Sequence, residues 1–341
     1  DGSSVITKHP GTGGAVTVGT VLAQLVYEIG DARYAGPDVT TRLDTVRLRP
    51  DGPDRVAITG VRGEPPPPDL KVSLTAIGGW RNEMTVVLTG LDVEAKAALF
   101  RRQLEDAYPG RLTWTLARVD GPDADTEQEA SALLTVVARD TDEKAVGRAF
   151  SGAAVELALA SYPGFFATTP PGGASPYGVF TAGFVAQDVP AHEVVLDDGT
   201  VEPIDPPAVT RPLEPLHGEA PTGPAGRGPT RRLPLGTIVG ARSGDKGGDA
   251  NVGLWVRDPA AYPWLAALIT EDRVRRLLPE TARMPVRITR LPNLGAVNVV
   301  IEGILGAGVA YQARFDPQAK GLGEWLRSRH VDIPESLLEP A

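Results

Sequence analysis

The hydrophobic pattern of the first thirty residues predicts a strand, a loop and a helix. A short β-like run covers Ser4–Thr7, and the apolar residues between Val16 and Ile29 recur at helical spacing. The glycine-rich run Pro10–Gly14 separates them. Alternating runs then follow at Arg42–Leu48 and Arg55–Val61, separated by glycine and proline. Because those two residue types supply turn geometry, the second pattern predicts a β-hairpin.

The middle of the chain alternates between strand and helix patterns. The predicted elements are the strands Leu70–Ile77 and Met84–Thr89, helix Val93–Ala107, strands Leu112–Val119 and Leu133–Arg139, and helix Asp142–Ser161. The last five follow a β-α-β-β-α order. That order is typical of a ferredoxin-like split βαβ core, in which two helices cover one face of an antiparallel sheet. The fold class is therefore expected to be α+β, with ferredoxin-like βαββα units and antiparallel sheets.

Residues 202–234 are dense in proline and glycine and lack hydrophobic periodicity, which predicts an exposed linker. Beyond it the pattern predicts strands Thr237–Ala241 and Asn251–Val256, helix Ala260–Leu278, strands Val286–Leu291 and Ala296–Ile304, and helix Pro317–Arg329. We therefore expect a main domain over residues 1–201, with a ferredoxin-like unit at about 82–161. A separate ferredoxin-fold-like α+β domain is expected over residues 235–341.

Composition narrows the class of protein. The chain has 341 residues, of which 42% are hydrophobic and 23% charged, as expected for a globular protein of two or more domains. A net charge of -9 argues against nucleic acid as a partner, because such binding depends on Lys and Arg neutralising phosphates. There is no cysteine, which excludes thiol catalysis and favours the cytoplasm. No apolar run approaches the roughly 20 residues needed to span a membrane, so no membrane partner is expected.

The first candidate site is the loop between the first strand and helix. Its glycines let backbone N–H groups approach an anion, and the helix end and a lysine add positive charge. The candidate anion-binding residues are Lys8, Gly11, Thr12, Gly13 and Gly14. His9 is a candidate catalytic base, because imidazole accepts a proton near neutral pH. The spacing matches neither the P-loop nor the dinucleotide fingerprint, so a plain glycine-rich turn is the alternative.

The second candidate site is the polar run from Ala241 to Asn251, predicted to be a loop between two strands. In one interpretation, Arg242, Ser243 and Lys246 bind a phosphate or carboxylate group of the ligand. Asp245 and Asp249 then orient these three side chains. A second interpretation, a hard cation bound through oxygen, is weaker because the lysine would repel the ion. A structural alternative is a loop whose side chains satisfy their own backbone. The candidate catalytic residues are Asp245, Lys246 and Asp249, and the candidate binding residues are Arg242, Ser243 and Asn251.

A third set of charged residues lies at strand ends. Arg62 and Glu64 are further candidates for binding a substrate anion, and Arg81 and Glu83 for lining a cleft. Surface ion pairs are the alternative for all of them. The four histidines are scattered and lack the spacing of metal ligands, so neither a metal nor another cofactor is expected.

Three blocks, Asp1–Gly14, Val61–Pro65 and Gly240–Asn251, together resemble the acyclic terpene utilisation family, in the same order and over nearly the whole chain. The resemblance implies a large N-terminal domain followed by a ferredoxin-fold domain that begins near Leu233. Members of the family carry a long segment upstream of the position where this sequence starts. The resemblance therefore implies that any site built partly by that segment is incomplete here.

The resemblance also implies a role in catabolism of acyclic terpenoid or branched-chain acyl compounds as coenzyme A thioesters. We expect an enzyme of the lyase, hydratase, hydrolase or isomerase type, because neither a nucleotide fingerprint nor cysteine indicates redox chemistry. In that case the two glycine-rich loops should meet in one concave pocket. The alternative is a non-catalytic assembly or scaffold subunit of an acyl-CoA catabolic complex. The sequence is consistent with a homo-oligomer.

Overall fold

The computed structural model describes residues 2–216 and 228–338. It confirms a mixed α+β protein with antiparallel sheets. The chain divides into two compact units. The first comprises the described residues of Asp1–Leu74, Thr181–Val309 and Gln318–Ala341, and the second comprises Thr75–Phe180 and Ala310–Pro317. In the described part of the chain, no helix is both long enough and apolar enough to span a lipid bilayer.

The strands are β1 (Ser4–Thr7), β2 (Arg33–Ala35), β3 (Thr40–Arg42), β4 (Arg47–Pro50), β5 (Arg55–Thr59), β6 (Arg62–Glu64), β7 (Asp69–Thr89), β8 (Leu112–Ala117), β9 (Ser131–Asp140), β10 (Phe166–Thr169), β11 (Ser175–Ala186), β12 (His192–Val195), β13 (Val201–Ile204), β14 (Thr230–Pro234), β15 (Val239–Lys246), β16 (Asp249–Val256), β17 (Val286–Leu291), β18 (Ala296–Ile301) and β19 (His330–Pro334). The α-helices are α1 (Val18–Leu25), α2 (Val93–Ala107), α3 (Phe150–Glu156), α4 (Tyr262–Leu268), α5 (Glu271–Leu277) and α6 (Leu322–Ser328).

The beginning of the first unit confirms the predicted strand, loop and helix. Helix α1 starts after Thr17, whose side chain forms a reciprocal capping box with Thr20. It ends at Leu25, earlier than the apolar pattern suggested, although Val26 and Ile29 remain buried in the core. The predicted hairpin is present with shorter strands, β4 and β5, and β1 extends it into a three-stranded sheet. Strands β2, β3 and β6 form a second small sheet.

The C-terminal part of the first unit contains a four-stranded antiparallel sheet in the order β15-β16-β18-β17. Its helical segment differs from prediction, because Thr270 interrupts the expected single helix. The Thr270 hydroxyl accepts a hydrogen bond from Arg273 N at 3.2 Å and caps α5, which separates it from α4. The prediction of a polar loop ending at Asn251 was also wrong. Strands β15 and β16 extend through that run and leave only the turn Gly247–Gly248, with Gly247 at φ 69°.

The second unit has the predicted β-α-β-β-α order. Its strands are arranged β10-β7-β9-β8, all antiparallel, which is the strand order of a ferredoxin-like sheet. The core between this sheet and helices α2 and α3 includes Leu88, Phe100, Leu134 and Phe150, all fully buried. The two strands predicted between residues 70 and 89 are one continuous strand, β7.

The predicted linker, residues 202–234, has strands at both ends. Strand β13 ends at Ile204, and β14 begins at Thr230 and pairs with β19. Residues 217–227 of this segment lie outside the described part of the chain.

Candidate functional site

The hairpin of β15 and β16 has two faces with different contacts. One face carries Val252 and Leu254 into the core that α6 covers. The opposite face meets residues 26–28, the chain segment that follows α1. Three cross-strand pairs lie on this face: Arg242 with Gly253, Gly244 with Asn251, and Lys246 with Asp249. Arg242, Lys246, Asp249 and Asn251 of the second candidate site therefore lie on the face that meets the N-terminal part of the same unit, whereas Ser243 and Asp245 lie on the other face.

Two buried asparagines fix the segment after α1. The side chain of Asn251 accepts a hydrogen bond from Glu28 N at 2.7 Å and donates to Val26 O at 3.0 Å. It also donates to Asn298 Oδ1 at 2.6 Å, and Asn298 in turn donates to Ile29 O at 3.2 Å. These bonds hold Glu28 at φ 56°, which is a strained conformation for a residue with a side chain. The predicted binding residue Asn251 therefore positions the backbone of Glu28.

The Glu28 carboxylate lies in a network of cations and tyrosine. Lys320 Nζ donates to Glu28 Oε1 at 2.8 Å, donates to the Tyr27 hydroxyl, and lies 3.7 Å from Asp245 Oδ1. The Arg242 guanidinium lies over the Tyr27 ring at 4.5 Å from the centroid. Burial by itself would raise the pKa of Glu28, but the hydrogen bonds from Lys320 and Tyr27 outweigh it and lower the pKa.

Lys246 is half-buried near the tip of the same hairpin. Its Nζ lies 5.8 Å from the centroid of the Tyr34 ring. Burial lowers the pKa of Lys246, and the charge of Lys71 lowers it further, while the carboxylates of Glu28 and Asp245 act in the opposite direction. Lys246 is therefore a cation held where its charged form is disfavoured. We call Tyr27, Glu28, Tyr34, Lys71, Arg242, Asp245, Lys246 and Lys320 the hairpin cluster.

Two other predicted residues of the hairpin make bonds that support neighbouring segments. Ser243 is buried, donates to Lys320 O at 3.0 Å and accepts from Gly323 N at 2.8 Å, at the start of α6. Asp249 Oδ1 accepts from Gly303 N at 2.8 Å. Ser243 therefore ties the hairpin to the chain that carries Lys320, and Asp249 ties it to the turn after β18.

The glycine-rich loop after β1 is held by a lysine and an aspartate. Lys8 Nζ donates to Thr12 O at 2.6 Å and lies 3.5 Å from Asp54 Oδ2, while the Thr12 hydroxyl donates to His9 O at 2.7 Å. The hydrogen bond from Val16 N, followed by the charge of Lys8, lowers the pKa of Asp54. His9 is exposed. Apart from each glycine and its two chain neighbours, no heavy atom of the described residues lies within 4 Å of the Cβ position that a side chain would add at Gly11, Gly13 or Gly14.

Arg62 and Glu64 lie together in β6, but their surroundings differ. Glu64 accepts from Arg33 Nε at 2.7 Å and from Arg42 Nη1 at 2.5 Å, and Arg211 lies 4.0 Å away. The hydrogen bond from Arg33 and then that from Arg42 lower the pKa of Glu64 to about 2. Arg62 is exposed and lies directly opposite Arg42 in the sheet. Glu64 therefore neutralises arginines of its own sheet.

The predicted site residues form three separate groups. Among the described residues, no hydrogen bond or ion pair connects the loop of Lys8–Gly14 to the hairpin residues Arg242–Asn251. Neither is bonded to the network around Glu64. Strand β2 passes close to two of the groups, because Arg33 bonds Glu64 while the adjacent Tyr34 lies near Lys246.

The second unit contains a groove of about 390 Å³. Arg81 and Glu83 line it and also form an ion pair at 2.5 Å, so both interpretations of these residues apply. Between them, the amide nitrogen of the buried Asn82 donates to Val146 O and to Gly172 O, both at 2.9 Å. Val146 lies in a π-helical turn, Ala145–Ala149, so Asn82 joins an irregular helix to a glycine-containing loop.

Sequence reasoning missed five members of the hairpin cluster: Tyr27, Glu28, Tyr34, Lys71 and Lys320. One signal was available. Lysine is scarce in this chain, which has 34 Lys and Arg residues in total. The lysines are Lys8, Lys71, Lys96, Lys144, Lys246 and Lys320. Half of these six belong to the hairpin cluster, although they are far apart in sequence.

Comparison with protein-family models agrees with this architecture, an α+β protein with ferredoxin-like units. The model described as acyclic terpene utilisation family protein AtuA matches residues 1–196. The model described as AtuA ferredoxin-like domain matches residues 233–332. The chain therefore belongs to the acyclic terpene utilisation family, and it carries that family's ferredoxin-like domain near its C-terminus.

Two further comparisons found nothing similar: neither a curated protein nor a solved structure matches the chain. Within residues 2–216 and 228–338, no group of three or more His, Asp or Glu side chains is placed to hold a metal ion.

Proposed function

We propose that this chain is an enzyme of acyclic terpenoid or branched-chain acyl catabolism, and that the hairpin cluster binds the anionic part of an acyl substrate. A coenzyme A thioester is the substrate class we favour. The observation that carries this proposal is the placement of Lys246, a half-buried cation whose charge is disfavoured by burial and by Lys71. An anion bound beside these two lysines would stabilise both charges.

The charge balance of the cluster supports an anionic ligand. It contains four cations, Arg242, Lys246, Lys320 and Lys71, against the two carboxylates Glu28 and Asp245. The chain as a whole has a net charge of -9, so a group of four neighbouring cations is unlike the average composition of the chain. A positive region in an acidic protein attracts anions selectively and increases their association rate.

The tyrosines of the cluster suit a ligand that has an apolar part. The rings of Tyr27 and Tyr34 lie next to the cations Arg242 and Lys246. An aromatic ring offers apolar surface to an acyl chain, although the Tyr27 hydroxyl is already bonded to Lys320. A substrate with an anionic end and an acyl chain would therefore find both kinds of surface in one place. Non-redox chemistry on that acyl group is part of the proposal.

Calorimetric titration with coenzyme A thioesters tests the ligand class. Lys246→Ala should weaken binding by about tenfold, because a charge-assisted contact contributes roughly 1.5 kcal/mol. The matched control is Lys144→Ala, which removes an exposed lysine of the second unit. Both variants should keep the melting temperature of the wild type within a few degrees. Absence of heat with wild-type protein at millimolar thioester would reject the proposal.

A second candidate function is a non-catalytic assembly subunit. It is favoured by the β12–β13 hairpin, a two-stranded sheet that exposes Val194, Val195, Val201 and Ile204. An isolated two-stranded hairpin has little intrinsic stability, and exposed apolar residues on it suit a protein contact. Sedimentation velocity of wild type and of Val195→Asp tests this. A shift from oligomer to monomer supports assembly, whereas identical sedimentation rejects this hairpin as an interface.

A further inference from the structure

We propose that Lys246 is a nucleophilic amine that forms an imine with a ketone or aldehyde carbonyl of the substrate. This inference rests on the proposed function, because it assigns a chemical step to the cluster that binds the acyl compound. It goes further in naming the reacting atom, Lys246 Nζ, and in requiring an oxo group on the substrate.

The first support is the choice of lysine over arginine. With six lysines among 34 basic residues, arginine is the usual cation of this chain. The hairpin cluster nevertheless contains Lys71, Lys246 and Lys320. A guanidinium stays protonated in proteins, whereas an ammonium group can lose its proton and become a nucleophile. A cluster that served charge alone would be equally well built from arginine.

The second support is the placement of Lys246. It is half-buried at the end of β15, where a two-residue turn and eight cross-strand pairs fix the backbone. The Tyr34 ring lies on one side of its amine. Fixed position and partial removal from water are what an amine nucleophile requires.

The third support is the set of charged groups that face Lys246. Lys71 of β7 disfavours its protonated form, as does burial, and Glu28 and Asp245 favour it. Both carboxylates are also bound by Lys320, which contacts Glu28 at 2.8 Å and Asp245 at 3.7 Å. Lys320 therefore offsets the two groups that would otherwise keep Lys246 protonated. The net direction is a lowered pKa for Lys246.

The step balances without an oxidant or reductant. In this step Arg242, Lys71 and Lys320 hold the anionic end of the substrate, and the fraction of Lys246 that has lost its proton reacts. The lone pair of this neutral Nζ attacks the carbonyl carbon, and the π pair of the carbonyl moves to oxygen, which takes up a proton from solvent. The nitrogen loses its own proton to solvent and gives a carbinolamine. The carbinolamine hydroxyl then takes up a proton from solvent and leaves as water, while the nitrogen lone pair forms the C=N bond and gives a protonated imine. A protonated imine withdraws electrons from the neighbouring carbon, which assists cleavage or proton loss there, in keeping with lyase or isomerase chemistry.

Borohydride trapping tests the proposal directly. Wild-type protein is incubated with acetoacetate, an anionic ketone, then reduced with sodium borohydride and mapped by peptide mass spectrometry. We expect a borohydride-dependent adduct on Lys246 in clear excess over exposed Lys144, because a lowered pKa leaves more of its amine unprotonated. Equal labelling of the two lysines, or no adduct on Lys246, overturns the proposal.

The pH profile of amine acetylation gives an independent readout. Accessibility changes the rate of labelling, but the pH midpoint depends on the pKa of the amine. Each lysine is labelled with limiting acetic anhydride across a pH series. The midpoint for Lys246 should lie below that for Lys144, and Lys71→Ala should move it upward. A Lys246 midpoint equal to that of Lys144 contradicts the proposal.

Lys246→Arg separates this inference from the proposed function. The variant keeps the positive charge and lacks the nucleophile. It should retain thioester binding within about threefold and lose the trapped adduct completely. If wild-type protein binds the thioester and forms no adduct, the nucleophile fails and the anion site stands. If it forms the adduct and binds no thioester, the reactive lysine stands and the thioester is the wrong substrate class.

Discussion

The glycine-rich loop after β1 and the hairpin of β15 and β16 are both rich in glycine and polar residues, but their glycines have different surroundings. At Gly13 an added Cβ would meet nothing within 4 Å. At Gly253 it would lie 2.4 Å from Val26 Cγ2 and 2.6 Å from Val26 O, and at Gly244 it would lie 2.7 Å from the Tyr27 ring. In the loop, glycine leaves open space, whereas in the hairpin it allows two chain segments to approach closely.

The lysines of the two regions differ in the same way. Lys8 is bonded to Thr12 O and paired with Asp54, so its charge is used within the loop. Lys246 has no hydrogen bond or ion pair among the described contacts, and burial disfavours its charge. Our proposal of an anion site therefore depends on a partly buried cation without a direct ion pair, and it does not depend on glycines beside a lysine.

Asn251→Ala should give the largest effect. It removes three hydrogen bonds of a fully buried amide, namely those to Glu28 N, Val26 O and Asn298 Oδ1. The expected loss of unfolding free energy is about 3 kcal/mol. Urea denaturation measures it. Thr12→Ala in the loop is the control and should change stability by less than about 0.5 kcal/mol. Similar values for both variants would remove the distinction between the two regions.

A matched pair of glycine substitutions should give the next largest effect. Gly253→Ala places a methyl group against backbone and side chain of buried Val26, and overpacking of this kind costs about 2 kcal/mol. Gly13→Ala enters open space and should be neutral or slightly stabilising, by at most about 0.5 kcal/mol. Thermal melts of the two variants test this pair. Equal melting temperatures would show that the hairpin can move away from Val26.

The Glu28 ion pair should give a smaller, pH-dependent effect. Its pKa in the folded protein lies below the ordinary value of 4.5, so the carboxylate stabilises the fold above that pH and this contribution is lost as the pH falls below it. Because Glu28 and Lys320 are 35% and 40% exposed, the contribution should be about 1 kcal/mol or less. The difference in unfolding free energy between wild type and Glu28→Gln should be present at about pH 7 and decrease as the pH falls below the ordinary value of 4.5. A constant difference would exclude the ion pair as its cause.

Lys8→Ala should give the smallest effect on stability. Its partner Asp54 is 41% exposed, and pairs of this kind contribute less than about 1 kcal/mol. Raising the salt concentration should reduce the difference from wild type further, because exposed charges are screened. Chemical denaturation at low and high salt checks this. A loss comparable to that of Asn251→Ala would show that the loop is as firmly built as the hairpin.

The sequence predicted the individual helices and strands better than the tertiary contacts between them. The β-α-β-β-α order of the second unit followed from periodicity, because each strand and helix there presents a regular apolar face to one core. The break at Thr270 was missed, although a threonine followed by two acidic residues, Glu271 and Asp272, is a recognisable helix start. The extension of β15 to Lys246 was missed because its polar residues form contacts with another segment of the chain. Hydrophobic periodicity carries no information about such contacts.

The sequence identified only one of the two chain segments that form the candidate site. The run ending at Asn251 stood out by composition, but its partners Tyr27 and Glu28 lie more than two hundred positions earlier. Asn251 looked like a ligand-binding amide and instead holds backbone groups. Pairing over such a distance depends on tertiary packing, which no local pattern records. The scarcity of lysine in the sequence was a signal that was not used, and it does not separate Lys71, Lys246 and Lys320 from the other three lysines.

The most direct measurement is a side-by-side calorimetric titration of wild type, Lys8→Ala and Lys246→Ala with one coenzyme A thioester. Lys8→Ala should bind like the wild type, and Lys246→Ala should bind about tenfold more weakly. Loss of binding in Lys8→Ala with full binding in Lys246→Ala would place the anion in the glycine-rich loop and contradict the account.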